Sequence, residues 1–148
     1  MDVSGKATLS APPERVFAEV YDLGTYASWL GIVHGVEPVG PEGDAGPAWM
    51  VDLGVQLGPV RQTKRVRMVR TEARPPNLVR FERRELDGRS HSAWVLAAEV
   101  APRRGGSVLT MHLHYGGAPS LPFLDRLIGE EIRSAGARLE QRLGVAGA

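Results

Sequence analysis

The 148-residue sequence contains no cysteine, and no segment approaches the ~20 consecutive apolar residues that a membrane-spanning helix needs. The absence of cysteine excludes disulfides, thiolate nucleophiles and Cys-ligated zinc. The N-terminus lacks the basic patch and apolar run of a signal peptide. A phosphate-binding glycine loop and a nucleophile elbow are missing as well. We therefore expect a cytoplasmic protein that works without a cofactor.

The composition is that of an ordinary globular protein, with 43% hydrophobic and 24% charged residues. A chain of this length forms one domain, here residues 1–148, more readily than two. The formal net charge of +1 is unevenly spread, because the segment from Arg61 to Arg104 holds twelve Lys/Arg against five Asp/Glu. This local excess of positive charge requires an explanation of its own.

Two short helices are predicted after a first strand at Lys6–Ser10. Pro13 and Glu14 indicate a helix start, because proline suits the first helical turn and an acidic side chain complements the helix dipole. Apolar residues spaced by three and four continue this helix to about Asp22. A second short helix is predicted at Thr25–Leu30.

The middle of the chain is typical of an antiparallel meander, since short runs rich in valine, arginine and aromatics alternate with Gly, Pro, Asp and Asn clusters. The pair Asp87-Gly88 is typical of a tight hairpin turn. With the first strand, these runs predict a sheet of about seven strands. The six predicted here are His34–Val39, Ala48–Gly54, Val60–Thr71, Leu78–Leu86, His91–Val100 and Ser107–Tyr115.

The last segment carries the strongest helical pattern, with apolar residues spaced by three or four from Leu121 to Leu143 and a natural stop at Gly144. A helix of this length spans roughly 30 to 35 Å, so it must pack across the sheet. Gly129 and Gly136 lie beside its apolar stripe, where glycine costs ~1 kcal/mol relative to alanine. The two glycines indicate either that the sheet approaches the helix closely or that open space is left for a ligand.

Alternation sorts the strand residues onto two faces, one against the helix and one toward water. The inward set is aromatic and nearly free of polar groups, which is typical of ligand pockets. We therefore predict a cavity between the sheet and the C-terminal helix. Its predicted lining is Trp49, Phe81, Trp94, Met111 and Tyr115 from the sheet and Leu124, Ile128 and Ile132 from the helix.

A set of residues in the first quarter of the chain carries a family resemblance. The set comprises Ser10-Ala11-Pro12-Pro13-Glu14-Arg15-Val16-Phe17, Tyr21-Asp22-Leu23, Tyr26 to Trp29-Leu30, and Val36-Glu37. It resembles the START-like (SRPBCC) superfamily, specifically the bacterial polyketide cyclase/dehydrase-like branch, and the order of elements matches over the whole chain. The resemblance implies an α+β helix-grip fold, in which a curved antiparallel sheet encloses a pocket under a long C-terminal helix.

The resemblance implies several functions rather than one reaction, because members include aromatase/cyclases and carriers of lipids or quinones. Aromatase/cyclase relatives use a cavity arginine on the fourth strand, and Arg67 occupies that position as the candidate catalytic residue. The pocket tyrosine of those relatives falls on Val36, and alternation makes Val66 and Met68 the inward pair and sends Arg67 outward. We therefore expect binding or transport of an apolar small molecule, namely a lipid, isoprenoid, quinone or polyketide. The alternative is a polyketide aromatase/cyclase or dehydratase.

The remaining polar features are interpreted as surface. His112 and His114 share one strand face, but two ligands are not a metal site, so we expect an exposed outer-face pair without metal. A third hypothesis is an interaction module that uses a basic sheet face, whereas nucleic-acid binding is not expected because the aromatics belong to the core. We expect a monomer or weak homodimer. The arginines assigned to the solvent face are Arg61, Arg65, Arg67, Arg80 and Arg84, partly balanced by Glu72, Glu82 and Glu85.

Overall fold

The structure, a computed structural model of the chain, describes residues 2–40, 46–57, 59–116 and 124–147. Within these residues a curved antiparallel sheet of seven strands packs against a long C-terminal helix, which confirms the predicted helix-grip architecture. The elements in chain order are β1 (Asp2–Leu9), α1 (Pro13–Tyr21), a 3₁₀ helix (Leu23–Ser28), β2 (Val33–Val39), β3 (Ala48–Leu57), β4 (Val60–Arg74), β5 (Leu78–Arg83), β6 (Trp94–Arg103), β7 (Gly106–Tyr115) and α2 (Leu124–Gly147).

The strands lie in the order β1-β7-β6-β5-β4-β3-β2, and every neighbouring pair is antiparallel. Strands β2 to β7 form a meander of consecutive neighbours, as predicted. Strand β1 pairs with β7, from Asp2 opposite His114 to Leu9 opposite Ser107. Because β1 and β2 form opposite edges of the sheet, α1 and the 3₁₀ helix connect the two edges.

The first helix follows the predicted proline start. Pro12 is its N-cap, its carbonyl accepts from the backbone N–H of Arg15 and Val16, and Glu14 lies in the first turn. The second predicted helix is a 3₁₀ helix that begins earlier, at Leu23, because the Asp22 side chain accepts a hydrogen bond from Gly24 N at 2.9 Å.

Helix α2 packs closely on β1. A Cβ atom added to Gly136 would lie 2.6 Å from the Cβ of Ala7, and one added to Gly5 would lie 2.5 Å from Ile132 Cγ2. A Cβ on Gly129 would meet Val3 at an ordinary 3.6 Å. Gly136 therefore allows a close approach of strand and helix, and it does not border open space.

The C-terminal end of α2 differs from the prediction. The predicted first residue, Leu121, lies outside the described residues, and so does the side chain of Leu124. The predicted stop at Gly144 is wrong, because the helix continues to Gly147. Gly144 is not among the described glycines with positive φ, so it does not form the left-handed cap that ends many helices.

The predicted tight hairpin at Asp87-Gly88 is also wrong. Strand β5 ends at Arg83 and β6 begins at Trp94, so the connection runs from 84 to 93. Gly88 has the expected positive φ of 72°, but it forms a turn inside this longer loop. The Asp87 carboxylate accepts from Arg89 N at 3.0 Å and contacts His91 Nε2 at 2.8 Å, and these two bonds hold the pKa of Asp87 below its usual value.

Candidate functional site

The concave face of the sheet carries the apolar residues predicted to line a cavity. Phe81, Met111 and Ile128 are almost fully buried, and Trp94 is half-buried against them. The structure brings these residues together with three further predicted ones in a single cluster, and their contact with a ligand stays a prediction. The three are Trp49, Tyr115 and Ile132.

The deep part of this face is built from aromatic contacts. The ring of Phe81 meets Trp49 edge-on at a centroid distance of 5.7 Å and Tyr26 at 5.9 Å. The Tyr26 hydroxyl donates to the Val20 carbonyl at 2.7 Å, and burial raises the pKa of this hydroxyl above its usual range. The hydroxyl is therefore protonated, and its hydrogen bond is made within the fold.

One end of the concave face is closed by Arg70, which pairs with Phe81 across the β4–β5 ladder. Its Nε and Nη2 atoms donate to the carbonyl of Tyr21 at 3.1 and 2.6 Å, at the C-terminus of α1. The guanidinium also lies 3.6 Å from the ring centroid of Tyr21 and 5.2 Å from that of Trp49. The cation thus joins α1 to the sheet.

Among the described residues, the opposite end of the grip is open. A cavity of about 510 Å³ lies there between the first turns of α2 and the strands β2 and β3. This volume falls within the ~300–1,000 Å³ range of small-molecule sites. A recess of about 300 Å³ shares His34 and Arg61 with this cavity. It lies mainly on the outer face, because Arg61, Thr63 and Arg65 alternate with the inward Lys64. The larger cavity is lined by Gly31, Ile32, His34, Gly54, Arg61, Leu127 and Glu131.

A polar group of five residues, which we call the rim cluster, stands at the same end of the sheet, near the start of β4, the end of β5 and the start of β6, but does not line the larger cavity. Lys64 pairs with Leu53 and Arg83 with Met68, so both cations share the face of the apolar core. The members of the rim cluster are Lys64, Arg83, Glu85, Ser92 and Trp94.

Two cations of the rim cluster converge on one hydroxyl. The Nζ atom of Lys64 donates to Ser92 Oγ at 3.0 Å, and Nη1 of Arg83 lies 3.4 Å from the same oxygen. Nε of Arg83 donates to the carboxylate of Glu85 at 2.7 Å. Burial and, after it, the charge of Arg83 hold the pKa of the Lys64 amine below its ordinary value, while the charge of Glu85 opposes this shift.

The aromatic member of the rim cluster adds a further donor. The ring of Trp94 stacks on Tyr115 at 5.3 Å, and Lys64 Nζ lies 5.7 Å from its centroid. The indole Nε1 is buried and has no hydrogen-bond partner among the described residues. Buried polar atoms in proteins are nearly always paired, so this atom calls for an acceptor.

The sequence did carry a signal for Lys64 and Arg83. Alternation places Lys64 with Val66 and Met68, and Arg83 with Phe81, on the inward face. The prediction missed them because it chose the inward residues by their apolar character. Ser92 and Glu85 lie in the connection between β5 and β6, outside any alternating run, and no pattern indicates their position.

Arg67 lies on the face opposite Val66 and Met68, as alternation predicts, but it is buried rather than solvent-exposed. Its Nη1 donates to the Arg84 carbonyl at 3.0 Å and its Nη2 to the Gly40 carbonyl at 3.5 Å. Ala48 and Val69, which share this face by register, are buried as well. The outer face is covered at this point, so assigning Arg67 to the solvent side was wrong.

The other predicted surface arginines are exposed, and two of them are paired with acids. Arg65 contacts Glu37 at 3.3 Å and Asp52 at 3.7 Å, and Arg80 contacts Glu72 at 3.4 Å. Arg61 and Arg84 are also exposed. The positive charge of this stretch is therefore balanced in part by carboxylates of neighbouring strands.

The predicted outer-face histidine pair is confirmed in position. His112 shares a hydrogen bond with Ser4 Oγ at 2.7 Å and approaches Glu99, and His114 contacts the Asp2 carboxylate at 2.9 Å. Both side chains are about half exposed. Among the described residues, no three acidic or histidine side chains come together as a metal site would require.

The chain matches a known protein family over nearly its whole length. The family described as "Polyketide cyclase / dehydrase and lipid transport" matches residues 1–144. No curated protein sequence matches the chain. Within the described residues, no helix is long and apolar enough to cross a membrane.

Solved structures share the fold at low sequence identity. A protein of Thermus thermophilus is 23% identical with a TM-score of 0.78, and the match covers all of both chains. A START superfamily protein of Mycobacterium smegmatis is 17% identical with a TM-score of 0.73 over 98% of each chain. The Zhui aromatase/cyclase of Streptomyces sp. R1128 is 15% identical with a TM-score of 0.65, covering all of this chain and 96% of that one. The whole-chain family match and the seven-stranded grip around α2 together confirm the resemblance: the chain belongs to the polyketide cyclase/dehydrase and lipid transport family and has its START-like, hydrophobic ligand-binding fold.

Proposed function

We propose that the protein binds or transports an apolar small molecule between its sheet and α2. The observation that carries this proposal is the apolar concave face under α2. A cavity of about 510 Å³ lies at one end of the grip, and its lining does not include the residues predicted to bind the ligand. The lipid-transport part of the family description agrees with the proposal. Lipids, isoprenoids, quinones and polyketides are the ligand classes that such a face suits, because burial of apolar surface drives their binding.

The ligand enters at the open end in this proposal. Arg70 and the carbonyl of Tyr21 close the opposite end. Trp94 at the start of β6 is half-buried, whereas Trp29 and Trp49 are 1% and 6% exposed. Entry of a ligand would therefore change the surroundings of Trp94 first.

Titration with a long-chain fatty acid or a quinone, followed by tryptophan fluorescence, tests this proposal. We expect a saturable quench or blue shift in the parent. The variant Trp94→Phe should lose most of this response, while Trp29→Phe serves as the matched control and should retain it. A spectrum that no apolar ligand changes would contradict the proposal. Native mass spectrometry of protein purified from its own host would identify a retained ligand directly.

The alternative function, a polyketide aromatase/cyclase or dehydratase, rests on the cyclase part of the family description. In that alternative, Arg67 would orient a substrate carbonyl or enolate. Its guanidinium donates to two backbone carbonyls on the face opposite Val66 and Met68, and this position favours binding without chemistry as the first proposal. Turnover of a poly-β-keto substrate by the purified protein would instead make the cyclase or dehydratase the first proposal.

The third candidate, an interaction module, would use the exposed arginines of the outer face. The carboxylates that pair with Arg65 and Arg80 weaken its support. We propose that the protein acts in the cytoplasm as a monomer or weak homodimer, which sedimentation analysis over a range of concentrations tests.

A further inference from the structure

In the rim cluster, Lys64 and Trp94 have hydrogen-bond donors that lack an acceptor among the described residues. Arg83 is better supplied, because its Nη1 also donates to the Ser92 carbonyl at 3.3 Å and its Nη2 lies 3.4 Å from His91 Nδ1. Lys64 Nζ and Arg83 Nη1 both reach Ser92 Oγ, and the indole Nε1 of Trp94 has no partner among the described residues. A hydroxyl oxygen has two lone pairs and no charge, so it cannot neutralise two cations.

The single carboxylate in the rim cluster is already engaged. Glu85 Oε2 accepts from Arg83 Nε at 2.7 Å and from the backbone N–H of Arg67 at 3.2 Å. Among the described residues, no carboxylate lies within ion-pair distance of Lys64. The cluster therefore carries a net positive charge, centred on the Lys64 ammonium group on the concave face.

The Lys64 ammonium and the Arg83 guanidinium repel each other because both lie beside Ser92 Oγ. The Arg83 side chain is 9% exposed, whereas Lys64 is exposed. Partial burial of the amine and the Arg83 charge both lower the pKa of Lys64. An incoming anion would relieve this repulsion and would also supply an acceptor for the indole N–H. A neutral ligand could supply the acceptor through a hydroxyl or carbonyl oxygen, but it would not relieve the repulsion.

We propose that the ligand is an apolar acid whose carboxylate binds Lys64, Arg83 and the Trp94 indole N–H at the open end, with its apolar part directed along the concave face. This inference rests on the proposed function and names the ligand class for the same site. The direction follows from the ladder: Trp94 lies opposite Tyr115, and Leu96 opposite Leu113 is the next inward pair toward Phe81. The ligand thus passes from charged to purely apolar surroundings.

Matched ligand pairs that differ only in the head group provide the test. Isothermal titration calorimetry compares dodecanoic acid with dodecanol, and 2-naphthoic acid with 2-naphthol. The first pair represents a fatty acid, and the second represents an acid with fused aromatic rings. We expect the acid of at least one pair to bind about tenfold more tightly than its neutral partner, as a charge-assisted hydrogen bond allows. Which pair binds more tightly distinguishes a fatty acid from a polyketide-like acid.

Substitutions assign this preference to the rim cluster. Lys64→Met keeps the length of the side chain and removes its charge, so the acid should bind about tenfold more weakly and the neutral partner within about twofold of the parent. Lys64→Arg should retain the preference for the acid. The chain has one other lysine, Lys6, which is exposed on β1, and Lys6→Met is therefore the matched control without effect.

The possible failures are distinguishable. Equal affinities for acid and neutral ligand in the parent would overturn the carboxylate inference and leave apolar binding intact. Equal weakening of both ligands by Lys64→Met would also overturn it, because Lys64 would then shape the opening only. If no ligand of either pair binds, the proposed function fails together with the inference.

Discussion

Gly136 of α2 and Ala7 of β1 approach so closely that a Cβ atom on Gly136 would lie 2.6 Å from the Cβ of Ala7. Real Cβ atoms do not come that close, so any side chain at this position would push α2 away from the sheet edge. The helix and β1 are both regular here and can give way only by moving as units. The contact therefore sets the distance between helix and strand.

Gly136→Ala should destabilise the protein by about 1–3 kcal/mol through overpacking, although alanine is the better helix former. The matched control is Gly144→Ala in the same helix, where a Cβ meets nothing within 4 Å. There the substitution should stabilise by up to about 1 kcal/mol. Urea unfolding measures both changes. Stabilisation by both variants would show that strand and helix do not touch as described.

Ile132→Asp should cost more than about 4 kcal/mol, because it places a charge without a partner against the apolar face of the sheet. Ile132 is 4% exposed and contacts β1 at Gly5. Ser134→Asp, two residues along the same helix on its exposed side, should change stability by less than about 0.5 kcal/mol. Thermal unfolding compares them. A parent-like melting curve of Ile132→Asp would mean that α2 is not docked on the sheet.

Lys64 should titrate below its ordinary pKa of 10.5 in the folded protein. A lysine with a lowered folded pKa destabilises the protein below that pKa, and the cost disappears as the pH rises through the interval between the folded and unfolded values. NMR titration of the ¹³C-dimethylated lysines measures this, with Lys6 and the urea-unfolded chain as references. Arg83→Met should raise the pKa of Lys64. The prediction fails if Lys64 has the same midpoint folded and unfolded.

Arg67→Ala should lower stability by about 1–3 kcal/mol, since the carbonyls of Arg84 and Gly40 lose a charged donor in a covered part of the outer face. Affinity for an apolar ligand should stay nearly unchanged. Arg65→Ala removes an exposed arginine of the same strand and should cost less than about 1 kcal/mol. Lost turnover of a poly-β-keto substrate at unaltered stability would instead identify Arg67 as a catalytic residue.

The order of the elements and the apolar face of the sheet could be predicted from the residue pattern alone. Pro13 and Glu14 start α1, and Met111 and Tyr115 face the core while His112 and His114 face outward. Such features follow from local periodicity. Side chains point to the same face at every second residue of a strand and about every 3.6 residues of a helix, whatever the strand or helix packs against. The burial of Ile128 and Ile132 in α2 follows from the same rule.

The roles of Gly136 and Arg67 could not be predicted, because they depend on contacts between segments that are distant in the chain. Gly136 shows its role only where α2 crosses β1, which the N-terminus brings beside β7. Arg67 is outward by alternation and buried all the same, because the carbonyls of Gly40 and Arg84 come from segments 27 and 17 residues away. A local sequence pattern cannot indicate contacts between residues that are this far apart in the chain.

The rim cluster depends on tertiary structure most of all. Lys64 and Arg83 both contact Ser92 partly because β4 and β5 pair in one particular register, which shifts between Arg70 and Glu72. The second reason is that the connection from 84 to 93 brings Ser92 back to the end of the sheet. Electrostatic energy depends on the distance between charges in space, and that distance is set by strand register and loop path rather than by the spacing of residues along the chain.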